Sequence, residues 1–354
     1  MLAVLTAALL ALAAPTGGAD GPRYALIPPR DLSGNPAAPG ALAGALRACL
    51  EARGARFAAP EEVDALLRAR RIRYTDSLSR ADLAALGTRL EADFVLLATV
   101  LDYVPGGEPR LAFSLRALET GSGRRVASSA VALRGADFEG LLGLGRIEDI
   151  DALLQEGLER ALEGFDASGA PVPPRARRAG RPRPPAGGRG FVRDDFDPRA
   201  LERVALLPLE NRSSATDAAV QLGEFLGDAW ARGGRVRVCE IADVRATLIA
   251  QKVRSMEYLD LAHLAEVGRG LGVRYFVMGS IESYGQEVLV DDRRYPELEA
   301  TLRLLDVEQG RIVAAAAVRR TGNDYETVLG LGAVHDPAEL GIRVARELVT
   351  AIGG

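Results

Sequence analysis

Groups able to do covalent or metal chemistry are few in this chain, and their spacing unites none of them. His263 and His335 are the two histidines, and Cys49 and Cys239 the two cysteines. A metal centre needs several His, Cys or carboxylate ligands at close spacing, and no such run occurs. His263, beside Leu264 in a helical stretch, reads as a surface or capping residue. The cysteines could bridge in an oxidising compartment or stand apart as two small buried thiols. No nucleophile elbow, phosphate loop or zinc-protease helix pattern is present. Two glycine-bearing segments, Leu141–Gly145 and Val328–Gly332, resemble part of a dinucleotide fingerprint, but no third glycine opens a helix with an acid about 20 residues on. They read as structural turns. Acids beside them, Asp137 and Glu139, then Asp324 and Glu326, are candidates for contact with a partner. The pair Asp291-Asp292 is answered at once by Arg293-Arg294. Nothing nearby would bury and shift either carboxyl, so this is a mixed-charge contact loop and not an acid–base pair. The expectation is a non-enzyme with no catalytic residue, cofactor or metal.

Those acids recur because much of the chain is written twice. Residues 114–145 and 301–332 align without gaps, with 16 of 32 pairs identical, including Leu115/Leu302, Arg116/Arg303, Asp137/Asp324 and Glu139/Glu326. Residues 81–100 align with 262–281 at an offset of 181, against 187 for the first pair. A period this long suits one domain copied once and not a solenoid. The change of offset places six extra residues of the second copy in the hairpin around Asp291–Pro296, and since insertions belong at exposed tips this supports a strand–turn–strand reading there.

Each copy reads in the same order. An apolar strand (24–29; 203–211) precedes a polar loop, Asp31–Gly34 or Asn211–Ser214, able to cap the following helix. Helices follow at Pro39–Arg53 and Thr216–Ala231, with Leu42, Leu46 and Leu50 at helical spacing. Then come a short strand, a helix from Pro60 or Ile241, and a third helix (Ser79–Leu90; Leu259–Leu271). The strongest strand signal follows, from Ala92 and Val273, and two further strands form a hairpin (111–119 with 124–134; 298–307 with 311–320). A closing helix spans Asp149–Glu163 or Pro337–Ile352. Strands interleaved with helices and then a meander predict an α/β (α+β) fold: two tandem domains, each a mixed sheet with helices mainly on one face. Copy one occupies 22–165 and copy two 200–354.

Between them, 166–195 is rich in Pro, Arg and Gly and reads as an extended linker. Its arginines could touch a polyanion, yet of the 44 basic residues of the chain only Lys252 is lysine, so arginine is simply the habitual cation here. A net charge of −4 argues against a general nucleic-acid binder. Residues 2–14 form an apolar run too short to span a bilayer, with small residues after it. This predicts a signal peptide over 1–19, cleaved near Ala13 or Ala19, with a buried helix as the alternative. No cysteine lies there to carry a lipid, and no membrane span is expected in the mature chain.

The stretches V-A-L-L-P-L-E-N-x-S (204–213), R-V-R-V-C-E (235–240) and L-x-x-V-G-R-G-L-G-V-R-Y-F-V-M-G-S-I (264–281) resemble the amino-terminal domain of TolB, and are similar to the related domain of curli-assembly transport (CsgG-like) lipoproteins. Copy two fits across most of 203–320. Copy one keeps Ala25-Leu26-Ile27-Pro28 and Phe94-Val95-Leu96-Leu97 but has Ala98-Thr99 in place of Gly279-Ser280. The resemblance implies an anticodon-binding-like α/β domain used in the bacterial envelope for contact with other envelope proteins. It implies a periplasmic or outer-membrane-associated protein, with room for oligomerisation. Two departures stand: no propeller follows, and the longer hairpin carries Asp291, Asp292, Arg293, Arg294 and Pro296 where a pore of about 9–11 alternating residues per strand needs lipid-facing side chains. An oligomeric secretion component is the second reading, and an enzyme with a cleft between the copies the third.

Overall fold

The computed structural model describes residues 21–73, 75–139, 144–173, 188–251, 260–327 and 332–353. The expected signal peptide and most of both glycine-bearing turns lie outside them. In the first half, β1 (Arg23–Leu26) runs parallel to β3 (Arg56–Phe57) on one side and to β4 (Phe94–Val104) on the other. β2 (Arg30–Asp31) pairs with the far part of β4. The crossovers hold α1 (Ala38–Glu51), α2 (Pro60–Ala69) and α3 (Arg80–Leu90). β5 (Arg110–Glu119) and β6 (Arg125–Arg134) add as an antiparallel meander, and α4 (Ile150–Ala161) returns across it. The sheet order is β3-β1-β4-β5-β6. β4 is a nearly unbroken apolar run because it is central and covered on both faces.

The second half repeats this plan. β8 (Arg203–Leu206), β9 (Glu210–Asn211), α5 (Ala218–Gly233), β10 (Arg237–Cys239), α6 (Ile241–Ala250), α7 (Leu261–Leu271), β11 (Tyr275–Val290), β12 (Arg293–Asp306), β13 (Arg311–Thr321) and α8 (Pro337–Ala351) follow in turn. Its sheet order is β10-β8-β11-β12-β13, extended at the edge by β7 (Arg189–Val192). Thus the protein is mixed α/β in two sheet-containing halves.

Several expectations meet their physical limits here. Ser79, Asp149 and Asp336 cap α3, α4 and α8 through side-chain oxygens. Asp31 and Asn211 cap nothing: Asp31 Oδ1 accepts from the Ser33 amide at 2.8 Å, and Asn211 Oδ1 from the Ser213 amide at 3.0 Å. These Asx turns close the loop early, and the N-caps are Ala37 and Asp217, without side-chain bonds. The six extra residues do fall in the hairpin, where they lengthen both strands. β11 and β12 stay paired up to Val290 and Arg293, leaving a two-residue turn at Asp291-Asp292 with φ of 47° and 60°. The end of the expected linker is also ordered. Past Pro185 no proline interrupts the chain until Pro198, and Arg189–Val192 pairs antiparallel with β13, covering its edge.

The layers explain how the halves join. α1 and α4 bury Leu42, Leu46, Leu153 and Leu158 against one face of the first sheet. α2 and α3 cover the opposite face at its parallel end. The remainder of that face carries no helix of its own half. It is covered by α5 and α8, whose core takes in Leu101, Ala112 and Ala130. α5 and α8 therefore lie between two sheets, with their own sheet on the other side.

Candidate interaction surfaces

The seam between the halves holds a cluster of buried charges. Arg116 projects from β5, its side chain 5% exposed, and meets Glu240 at 2.9 Å and Glu224 of α5 at 3.2 Å. Arg125 of β6 reaches Glu240 at 2.8 Å, and the Ser114 hydroxyl donates to Glu224 at 3.3 Å. Arg116 also donates to the Asp76 carbonyl. Burial alone would lower the Arg116 pKa, but Glu224, Glu240 and Asp76 outweigh it and hold the guanidinium above its ordinary range. Burial likewise pushes Glu240 up, and Arg125 and Arg116 bring it below the usual carboxylate range. Gly227 of α5 makes the approach fit: a Cβ there would lie 2.7 Å from Arg125 Nη1. Further along, Arg232 Nη2 donates to Ser129 Oγ at 2.9 Å, and the Arg80 amide to Asp243 at 3.0 Å. These ion pairs cross the seam and tie the sheet of the first half to α5 and the start of α6, while Arg125 Nη1 stays buried without a hydrogen-bond partner.

The acids beside the repeated turns have a local task. Asp137 accepts from the Arg134 amide at 2.7 Å, and Asp324 from the Thr321 amide at 2.8 Å, each closing a 3-10 turn after the meander. The two turns are built alike. The Gly135 carbonyl accepts from the Ile147 amide, and the Gly322 carbonyl from the Val334 amide. A Cβ at Gly135 would meet the Ile147 carbonyl at 2.0 Å, and one at Gly322 the Val334 carbonyl at 1.7 Å. Identity of Asp137 with Asp324 in the repeat thus reflects backbone geometry. Glu139 faces Arg146 at 3.7 Å, and Glu326 accepts from the Tyr295 hydroxyl at 3.4 Å.

The extended hairpin brings the other four candidates to one tip. Asp291, Asp292, Arg293 and Arg294 are all exposed. Arg294 pairs with Glu287 across the hairpin at 2.9 Å. Leu289, in register with Arg294, is 68% exposed.

Sequence reasoning assigned no role to Arg116, Arg125, Glu224 or Glu240. Arg116/Arg303 does stand among the repeat identities, but the letters do not say that one copy is covered and the other is not. Among the described residues no group of three His, Cys, Asp or Glu side chains could hold a metal. Cys49 and Cys239 are both free thiols, and burial raises the pKa of each. His263 sits in the first turn of α7, its amide bonded by the N-cap Asp260. His335 stacks on Tyr295 with centroids 5.1 Å apart.

No protein-family model matches the sequence, and no curated protein matches it either. Solved structures to which it is similar include the PelC dodecamer from Paraburkholderia phytofirmans, at 17% identity and a TM-score of 0.32, covering 47% of this chain and 98% of that one. Lipoprotein GNA1162 from Neisseria meningitidis is another, at 16% identity and a TM-score of 0.29, covering 39% and 96%. TolB from Acinetobacter baumannii is a third, at 11% identity and a TM-score of 0.23, covering 41% and 29%. Likeness at these levels assigns no activity and no partner. No described helix is long and apolar enough to cross a membrane.

Proposed function

We propose that this chain is an exported, non-catalytic protein of the bacterial envelope that acts by contact with other envelope proteins, and that its halves descend from one duplicated domain of the TolB amino-terminal or CsgG-like kind. The observation that carries this reading is the β11–β12 hairpin. It is longer than its counterpart in the first half, and it ends in Asp291, Asp292, Arg293 and Arg294 around the exposed Leu289. A ribbon of this kind docks through its apolar side chain, while its charges set register and exclude wrong partners. The repeated turns at Asp137 and Asp324, with Glu139 and Glu326, would flank such contacts as rigid corners. An outer-membrane secretion component fits the hairpin less well, because the Glu287–Arg294 pair would have to lie in lipid.

A photo-crosslinking residue placed at Leu289 tests the contact in envelope extracts. A discrete product that disappears in Asp291→Arg/Asp292→Arg protein is expected, and a uniform smear or no product refutes the role of the tip. Export is tested by fusing residues 1–19 to a reporter active only outside the cytoplasm. A silent reporter would remove the envelope from the proposal.

A further inference from the structure

The same helix cap occurs in both halves, and only one copy of it is shut inside the molecule. Asp149 caps α4 from an exposed position, accepting from the Ala152 amide at 3.2 Å. Asp336 caps α8 through the Ala338 and Glu339 amides at 2.8 and 3.0 Å, yet it is 2% exposed. The seam makes the difference: α8 lies on the first sheet as well as its own, while the core around α4 holds residues of the first half alone.

The groups facing that cap come from both halves. Asp102 of β4 stands across the seam, held by Arg110 of β5 at 3.0 Å. Glu339, in the first turn of α8, binds Arg343 at 2.6 Å and faces Asp137 and Arg134 of the first half. Arg134 itself pairs with Glu108. From β11, Tyr284 adds no counter-charge, and its hydroxyl donates to Gln221 at 2.7 Å. His335, next in the chain, is exposed and stacks on Tyr295. The cation set against Asp336, Arg110, is thus already engaged by Asp102. An ionised Asp336 is a nearly dry carboxylate opposite a second carboxylate, and that arrangement is costly unless water reaches it. Burial accordingly pushes the Asp336 carboxyl up to about 6, with Asp102 adding to the rise and the two cap amides and Arg110 opposing it.

We propose that the first turn of α8 is an acid-closed latch on the seam: with Asp336 protonated the turn stays seated against β4 and β5 of the first half, and with Asp336 ionised it lifts to give the carboxylate water. The rest of the helix holds its place, because Leu340, Val344 and Leu348 are fully buried. The seated carboxyl binds its proton more tightly than the hydrated one, so closure is strongest in acid and weakens as pH rises through about 6. With 3.8 for the hydrated acid and about 6 for the seated one, the opening constant rises about tenfold between pH 5 and pH 7.5. The latch stands apart from the partner reading above, since it neither uses nor requires the hairpin.

Hydrogen exchange of the full chain, corrected for the intrinsic effect of pH on amide chemistry, tests it. Protection of the Leu340 amide, bonded to the Asp336 carbonyl at 3.0 Å, should fall about tenfold from pH 5 to pH 7.5. Low urea should not deepen that fall, because a local opening exposes little surface. The Leu153 amide, placed alike on Asp149 of α4, should keep its protection. Asp336→Asn retains a capping oxygen and should shrink the contrast to less than about twofold. Asp102→Asn should reduce it in part, and decides the matter if the first variant does not fold. His335→Gln should leave it whole. Protection at Leu340 that ignores pH overturns the latch, as does a contrast unchanged in either aspartate variant or lost in His335→Gln. An equal fall at Leu153, or one that steepens with urea, marks unfolding of the whole chain and overturns it as well.

Discussion

Replacing Arg116 with methionine measures what the seam contributes to stability. The guanidinium meets Glu240 at 2.9 Å and Glu224 at 3.2 Å, with side-chain exposures of 5%, 3% and 11%. Methionine fills much of the space but leaves Glu240 with Arg125 alone, and Glu224 with only the Ser114 hydroxyl. Removing one partner from a buried ion pair costs about 3–5 kcal/mol, because the remaining charge stays desolvated. That is roughly a hundred- to several-thousand-fold in the folding equilibrium. Arg303→Met supplies the control: it is the same residue at the same place in the repeat, but exposed and with no ion-pair partner among the described residues, so its effect should stay within about 0.5 kcal/mol. Urea unfolding at pH 7, followed by fluorescence of the single tryptophan, Trp230, reports directly on buried α5. Equal losses at both positions, or a loss at Arg116 below about 1 kcal/mol, would refute the reasoning.

Asp336 caps α8 while almost wholly buried, and burial pushes its pKa up from 3.8 to about 6, Asp102 adding to the rise. A carboxyl with a raised folded pKa contributes stability that is complete below pH 3.8 and lost as pH rises through 6, in all about 3 kcal/mol. Asp336→Asn keeps a capping oxygen, so urea midpoints at pH 4.5 and 7.5 should diverge less than in wild type; an unchanged gap would show that the group titrates normally. Gly322→Ala should destabilise by about 2–3 kcal/mol, since the new Cβ falls 1.7 Å from the Val334 carbonyl, whereas Gly40→Ala in the open part of α1 should stabilise by about 0.5–1 kcal/mol. Thermal melts of the pair decide this by sign. Thiol titration of native protein should modify the half-buried Cys49 well before the buried Cys239, and unfolded protein should yield two thiols without reductant.

Much of the fold was legible because its signals are local. Ser79, Asp149 and Pro337 mark helix starts, the repeat fixes element order, and the change in offset locates the longer hairpin. Two local readings failed for local reasons: Asp31 and Asn211 spend their oxygens on Asx turns, and Arg189–Val192 is apolar enough to join a sheet despite its arginine-rich surroundings. The seam was not legible. Glu224 and Glu240 have the look of solvated helix residues, and Arg116 and Arg303 are the same residue in the same repeat context. What separates them is which half supplies a neighbouring layer, and no pattern within one repeat encodes that. The acids at Asp137 and Asp324 were visible as a repeated pair, but their spacing did not reveal that each one ties down the backbone amide three residues before it.

The borrowed layer over the first sheet has a consequence for biosynthesis. Ala112 and Arg116 leave the ribosome about 100 residues before α5, and α8 follows later still. Wherever the first half folds ahead of the second, it shows an apolar strip and an uncompensated arginine to water until α5 and α8 arrive. During that interval it is a sticky, half-dressed sheet, and a chaperone or a neighbouring nascent chain is the nearest thing available to shield it.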